Sequence, residues 1–267
     1  MSKYETKAFR QKRLELKDRV ISLYTSLKTL KAVGKELNIH PKTVARILKD
    51  SNTRYKGRGE AGQLVWEDPF KDKSIEDKSY WIGFISGDGY IDKYKNRISI
   101  ISNDYEIIEK FKSFVGINIS ITSRINIYTN TFNISRETTT YVASFSNKDS
   151  KDYLIKRGIT TKKSKTLKLK VKLNWDIIRG LFDADGSMSG SQMKITTGSR
   201  KLVHQLYLFF KEQKIRVSIK DKGTGTCWDV YILGGKQTMT EVYKHFYQDR
   251  PYYYLSRKKE QIRRYIE

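Results

Sequence analysis

Hydrophobic positions along the chain fall into periodic blocks separated by polar breaks. In DRVISLYTSLKTLKAVGKELNIHPKTVARILKDSN, three apolar stripes recur at helical spacing: Val20, Ile21, Leu23 and Tyr24; then Leu30, Val33 and Leu37; then Val44, Ile47 and Leu48. They predict three short helices. The break at Asn38-Ile39-His40 precedes Pro41, which suits the first position of the third helix. Ala32, Gly34 and Ala45 are small enough for helices to cross closely. Two later stretches, WIGFISGDGYID (81–92) and IIRGLFDADGSMS (177–189), are apolar nearly all round, which places a helix in the interior. Each ends in an aspartate followed by glycine. Ser74 with Asp77 opens the first helix as a capping box; Asn174 with Asp176 opens the second.

The text after each of these helices repeats. RISIISNDYEIIEKFKSFVGINISI follows the first and QMKITTGSRKLVHQLYLFFKEQKIRVSI the second. Ile98/Ile100 match Met193/Ile195, Ile107/Ile108 match Leu202/Val203, and Phe111/Phe114 match Leu206/Phe209. Each block reads as alternating strand, amphipathic helix, alternating strand. YVASFS (141–146) and WDVYIL (228–233) add further strands, with helical segments at 149–157 and 238–247. Asp88 and Asp185 lie about 97 positions apart, a repeat of domain size. The expected fold class is α+β: a small all-α domain (1–52), a basic, Gly-containing linker (53–73) and two tandem units (74–173 and 174–267).

Charge narrows the class of partner. The chain has 53 Lys and Arg against 29 Asp and Glu, a net +24. Residues 1–62 alone carry a net +10. Such an excess favours a polyanion, and nucleic acid leads; the plain alternative is a basic protein with no such partner. No apolar run is long enough to span a bilayer, and MSKYETKAFRQKRLELK lacks a signal-peptide core, so an intracellular, non-secreted protein is expected. One cysteine, Cys227, excludes an internal disulfide and a thiolate zinc cluster. His40, His204 and His245 show no ligand spacing.

The paired helices carry the candidate chemistry. Gly83 and Gly87 are four apart in one, Gly180 and Ala184 in the other, so each presents a small-residue face along which two backbones can meet. Packed on that face, their C-terminal ends would bring Asp88 and Asp185 together. Two such carboxylates repel each other and oppose the helix dipoles, unless a cation sits between them. Oxygen donors suit Mg²⁺, and paired metal sites of this sort cut phosphodiesters.

WIGFISGDG and IRGLFDADG resemble the two copies of the signature of the LAGLIDADG homing endonucleases, over residues 75–267. That resemblance implies a monomer with two αββαββα halves in pseudo-twofold symmetry, whose saddle-shaped antiparallel sheets straddle double-stranded DNA, cutting both strands with Mg²⁺. It implies Asp88 and Asp185 as metal ligands and catalytic acids, with Gly87 and Ala184 beside them at the metal. The earlier acid of the signature is Asp183 in the second copy but Ser86 in the first. The resemblance also points to a basic residue near each scissile phosphate: Lys163, with Lys165 as rival, and Lys258, with Arg257 beside it. The plain alternative is that these are surface lysines. Non-cleaving regulators and intron RNA maturases share the scaffold and stay open as alternatives.

The remaining expectations concern DNA contact. The N-terminal pattern resembles the helix-turn-helix of resolvases and transposases, which implies Lys42, Thr43 and Arg46 in the major groove. In the linker, Arg54 and Arg58 suit a minor groove, or a solvated tether. In ISITSRINIYTNTFNIS, Ile119, Ile121, Ile125 and Ile127 are expected to face the helices, presenting Ser120, Thr122, Arg124, Asn126 and Tyr128 to base edges. The second ribbon, VSIKDKGTGTCWDVYIL, offers Lys220 and Lys222 around a turn at Gly223-Thr224-Gly225. LKLKVKL (167–173) alternates Leu and Val with Lys168, Lys170 and Lys172 and suits phosphate contact between the halves.

Overall fold

The computed structural model describes residues 7–27, 29–53, 55, 63–64, 67–116, 119–129, 135–223, 225–249 and 251–267. The chain divides into two compact units, Met1–Glu60 and Ala61–Glu267.

The first unit holds α1 (Lys7–Leu27), α2 (Leu30–Glu36) and α3 (Pro41–Asp50) around a core of Val20, Tyr24, Val33, Val44 and Leu48. α1 is longer than its apolar stripe predicts. Its N-terminal part is rich in Lys, Arg, Glu and Gln, which propagate a helix without tertiary contacts. Thr29 caps α2 by accepting from the Ala32 amide at 3.2 Å. Between α2 and α3 the chain reverses at Asn38, whose φ of 51° is left-handed, a conformation asparagine tolerates. Gly34 is required there, since a Cβ on it would lie 2.6 Å from the Ile39 carbonyl oxygen. His40 caps α3, its Nδ1 accepting from the Lys42 amide at 3.1 Å, with Pro41 at the first helical position. Arg54 and Arg58, expected to touch DNA, lie outside the described residues.

The second unit is two copies of one arrangement. The first runs α4 (Ile75–Asp88), β2 (Gly89–Ile91), β3 (Arg97–Ser102), α5 (Tyr105–Val115), β4 (Ile121–Thr129), β5 (Ser135–Ser146), α6 (Lys148–Lys156) and a short α7 (Lys163–Thr166). The second runs α8 (Trp175–Asp185), β6 (Gly186–Ser189), β7 (Gln192–Thr197), α9 (Arg200–Glu212), β8 (Val217–Asp221), β9 (Trp228–Ile232), α10 (Gly235–Tyr247) and α11 (Ser256–Ile266). Each contains the expected αββαββα order. The sheets have matching order, β2-β3-β5-β4 and β6-β7-β9-β8, all antiparallel. Corresponding registers agree: Gly89 pairs with Ile100 as Gly186 pairs with Ile195. One face of each sheet packs on helices. Ile98, Ile100, Ala143 and Phe145 are buried in the first, and Met193, Ile195, Val230 and Ile232 in the second. One continuous apolar core joins both copies, with α4 and α8 at its centre.

Two expectations need correcting. The linker placed at 53–73 is too long. β1 (Gln63–Leu64) pairs in parallel with Phe145 and Ser146, and Phe70 is buried between Phe114 and Tyr153. A basic, glycine-bearing stretch thus ends in an anchor of the core. Ile125 and Ile127 share a face with Ile121 but remain 66% and 68% exposed. The β4–β5 ribbon extends past the helices that would cover them, so alternation alone overstated the core. LKLKVKL alternates as expected, burying Leu167 and Leu169 and exposing Lys168, Lys170 and Lys172. Gln205 accepts from the Leu169 amide at 2.9 Å and donates to the Leu169 carbonyl at 2.8 Å, and the Lys170 amide donates to the Arg157 carbonyl at 2.8 Å.

Among the described residues no helix is long and apolar enough to cross a membrane.

Candidate active site

α4 and α8 meet along the predicted small-residue faces. A Cβ on Gly83 would lie 2.1 Å from the carbonyl oxygen of Ile177, and one on Gly180 2.1 Å from that of Tyr80. The backbones are therefore in direct contact at the crossing. Ser74 caps α4, accepting from the Asp77 amide at 3.1 Å, and Asn174 caps α8, accepting from the Ile177 amide at 2.9 Å. Both helices end in glycine with extended backbone, Gly89 at φ −86° and Gly186 at φ −88°. Neither is there for a left-handed turn. A Cβ on Gly89 would lie 2.5 Å from the Ile85 carbonyl oxygen, and one on Gly186 2.5 Å from that of Phe182, because the chain folds straight back from helix into strand.

This turn delivers the two aspartates to one place. A Cβ on Gly87 would lie 2.6 Å from Oδ2 of Asp185, so that carboxylate sits against the end of the opposite helix. Burial and then the Asp185 charge push the pKa of Asp88 up to about 6, against the pull of Lys258 and Lys163. Asp185 is raised as well, first by burial, with Lys163 and Lys258 opposing. Its side chain is solvent-accessible, yet protein atoms crowd much of its surroundings and strip part of its hydration. Two carboxylates thus face two lysines, and lost hydration is the first cause that disfavours the charged form of each acid.

Lys163 and Lys258 are both inside the protein. Lys163 donates from Nζ to the Ser86 carbonyl at 2.9 Å and to the Gly87 carbonyl, at the end of α4. Lys258 donates to the carbonyls of Phe182, Asp183 and Gly186 at 2.6, 2.7 and 2.7 Å, at the end of α8. Burial lowers the pKa of both, that of Lys258 to about 8. They satisfy carbonyls that helix ends leave open and place positive charge where the dipole is negative. The rival Lys165 is exposed. Arg257, beside Lys258, is held in a fork by Asp104 of the other half, at 2.7 and 2.8 Å.

The two halves differ two residues before Asp88 and Asp185. Ser86 donates to the Ile82 carbonyl of its own helix at 2.7 Å. Asp183 is buried, raised to about 6 chiefly by that burial, and its Oδ2 accepts from the Leu255 amide. Nearby Arg179, also buried, pairs with Asp176 and donates to the carbonyls of Tyr253 and Phe246.

Oxygen donors from Asp88 and Asp185 fit a hard divalent cation, which would offset the burial that raises both and the Asp185 charge that adds to it at Asp88. Among the described residues there is no group of three His, Cys, Asp or Glu able to hold a metal, so such a cation would complete its shell with phosphate and water, as Mg²⁺ commonly does. The Gly87 carbonyl, expected at the metal, is shared with Lys163; that of Ala184 receives no lysine hydrogen bond.

The other expected contacts separate into groups. Ser120, Thr122 and Arg124 are exposed, but Asn126 is half-buried and donates to Thr140 at 2.8 Å. Tyr128 belongs to β4, and its side chain lies outside the described set, as does Thr224. Lys42 and Arg46 are exposed on α3 and Thr43 is half-buried. Lys220 is exposed opposite Asp229, and Lys222 approaches Asp229 at 3.5 Å. Sequence reading missed Asp229, Lys194 and Tyr231. The signal was present in WDVYI and QMKITT, where alternation sets these residues opposite the buried Val230, Ile232, Met193 and Ile195.

A family model described as a LAGLIDADG-like domain matches residues 76–164 and 176–267. Among solved structures, the chain is similar to the homing endonuclease I-WcaI bound to its DNA recognition sequence, at 15% identity and a TM-score of 0.51, over 78% of this chain and 94% of that one. It is also similar to mesophilic variants from the homing endonuclease I-DmoI, at 16% identity and a TM-score of 0.43, over 64% and 95%. A third likeness is to full-length DUF199/WhiA from Thermatoga maritima, at 14% identity and a TM-score of 0.46, over 74% and 63%. No curated protein matches the chain. At these identities the first likeness bears on the fold.

Proposed function

This chain belongs to the LAGLIDADG-like domain family, and from that premise we propose that it is a site-specific endonuclease that cuts both strands of an asymmetric DNA target. The observation that carries this reading is the meeting of Asp88 and Asp185 at the ends of two touching helices, with both carboxylates raised. A binding scaffold gains nothing from that repulsion, whereas a divalent cation turns it into affinity. Asp88 and Asp185 would hold Mg²⁺, together with the carbonyls of Gly87 and Ala184. When bound, Mg²⁺ supplies Lewis acidity to the phosphate oxygens and acidifies a nearby water.

The chain's own groups do the rest. Lys163 and Lys258 fix the helix ends, so the carboxylates stay in place before DNA arrives; preorganised charge of this kind is what stabilises a phosphoryl transition state. Their burial against the helix-end carbonyls supports reading them as positioning residues. Thr122, Arg124, Lys220 and Lys222 lie on ribbons suited to base edges, and Lys168 and Lys170 suit phosphates. The first unit acts as a helix-turn-helix module that lengthens the footprint through Lys42, Thr43 and Arg46. Since both acids sit on one chain, a monomer suffices. Intracellular action in a mobile genetic element is consistent with this chemistry.

The test is incubation with a library of random duplexes in Mg²⁺, beside Asp88→Asn and Asp185→Asn variants. Discrete double-strand breaks made by the parent alone support the reading. Bound duplex without breaks from all three makes the protein a non-cleaving regulator, and preference for folded intron RNA makes it a maturase.

A further inference from the structure

The face of the second sheet turned away from the helices carries an acid at its centre. Asp229 alternates with the buried Val230 and is itself only 2% exposed, because other side chains close over it. Its Oδ2 accepts from Lys194 Nζ at 2.7 Å and from the Tyr231 hydroxyl at 3.3 Å. Its Oδ1 accepts from the Thr196 hydroxyl at 2.6 Å and has Lys222 Nζ at 3.5 Å. Burial pushes its pKa up, but the hydrogen bonds from Lys194 and Thr196 outweigh this and the net direction is down. It is an ionised hub with donors on every side.

The first sheet has no counterpart. Thr196 pairs with Asp229 across β7 and β9, and the matching pair across β3 and β5 is Ile101 with Val142. Ser99 and Ser144, which match Lys194 and Tyr231, bond each other at 2.7 Å. One half therefore places an apolar pair where the other places a carboxylate with two ammonium groups beside it.

A carboxylate on a surface meant for a polyanion costs affinity, so its presence asks for a reason. Lysine on a free stem grips any phosphate, and such contacts carry no sequence information. Lysine tied to a buried acid is fixed in direction, and half its charge is cancelled toward phosphate. Tyr231 is fixed likewise, and the groove beside it is lined by Gln192, Ser218 and Lys220, all able to hydrogen-bond. We propose that Asp229 is a specificity-determining residue: it locks Lys194, Lys222 and Tyr231 into one arrangement that reads base edges and suppresses indiscriminate phosphate binding by this half. This rests on the reading of the protein as a DNA binder but not on its cutting DNA.

The experiment uses the full chain without divalent cation, so that no cleavage intervenes. The parent selects preferred duplexes from a random library, and its affinity for these is compared with that for random duplex over a range of salt. Asp229→Asn and Asp229→Ser are measured alongside, with thermal melts to establish that each is folded. The specificity ratio should fall on the order of tenfold. The salt slope on random duplex should steepen by about 1 to 2 as lysines are released onto phosphates. The lost preference should be confined to one half of the selected site. An unchanged ratio in folded variants, or a loss spread evenly over both halves, overturns the proposal. A parent that selects no sequence refutes DNA recognition itself, and a parent that selects but does not cut in Mg²⁺ refutes only the nuclease.

Discussion

The Tyr80 hydroxyl donates to Oδ2 of Asp183 at 2.9 Å, from the first half of the protein into the second, in full burial. The same oxygen accepts from the Leu255 amide at 2.9 Å. Removing the acceptor leaves two buried donors unpaired, whereas removing the hydroxyl leaves one acceptor still served. Asp183→Ala should therefore cost about 1–3 kcal/mol more than Tyr80→Phe, and the double variant should be far from additive. Urea denaturation of the four proteins of the cycle measures both.

Glycines that look alike in sequence should respond differently. Gly180→Ala must push apart two helices, since its Cβ would meet the Tyr80 carbonyl oxygen at 2.1 Å. Gly116→Ala meets nothing within 4 Å, and only its φ of 75° at the end of α5 opposes it. We expect about 3 kcal/mol or more for the first, as for a severe overpacking change, and about 1 kcal/mol for the second. Equal losses in a denaturant titration would contradict the backbone contact.

Lys163→Met and Lys258→Met test whether these groups hold helix ends. Lys258 serves three carbonyls and Lys163 two. Both variants should lose stability, on the order of 1–3 kcal/mol, with Lys258→Met the worse. Side chains that merely face DNA would leave the melting temperature unchanged.

The Asp229 cluster gives a pH signature. Its carboxyl is held below the ordinary range, so its stabilising contribution is full above that range and is lost as the pH falls through the lowered value. Lys194 is raised by the Asp229 hydrogen bond, so its share persists to high pH and is lost only above the ordinary lysine range. The melting-temperature gap between the parent and Asp229→Asn should be flat from about pH 5 to pH 10 and close below about pH 4. A gap that persists in acid would mean that the carboxylate charge plays no part.

Lys42→Ala with Arg46→Ala removes two exposed cations from α3 without touching Val44 or Leu48. On random duplex the salt slope should flatten by about 2, with helix content retained by circular dichroism. An unchanged slope would separate this unit from DNA binding.

Much of this protein is legible in its sequence because helix and strand periods are local properties. Gly83 facing Gly180, the caps at Ser74 and Asn174, and the buried pairs Ile98/Ile100 and Met193/Ile195 all follow from spacing alone. What spacing does not carry is where an element outruns its neighbours. Ile125 and Ile127 continue the alternation, past a slip at Ser123, beyond the last helix able to cover them. Nor does it carry which partner a charge finds. Lys163 and Lys258 were visible as lysines, but their carbonyls lie at the far end of other helices. Asp229 was visible as an acid on a strand, but its four donors come from β7, β9 and the turn beyond β8.

Ser86 opposite Asp183, and Ile101 with Val142 opposite Thr196 with Asp229, have one consequence for how such a protein changes over time. An assembly of two identical subunits must make every substitution twice, and is bound to palindromes. Two domains joined in a single polypeptide are released from that rule. Each can drift by itself while its companion keeps the old contacts, so a new recognition site can be acquired one side at a time.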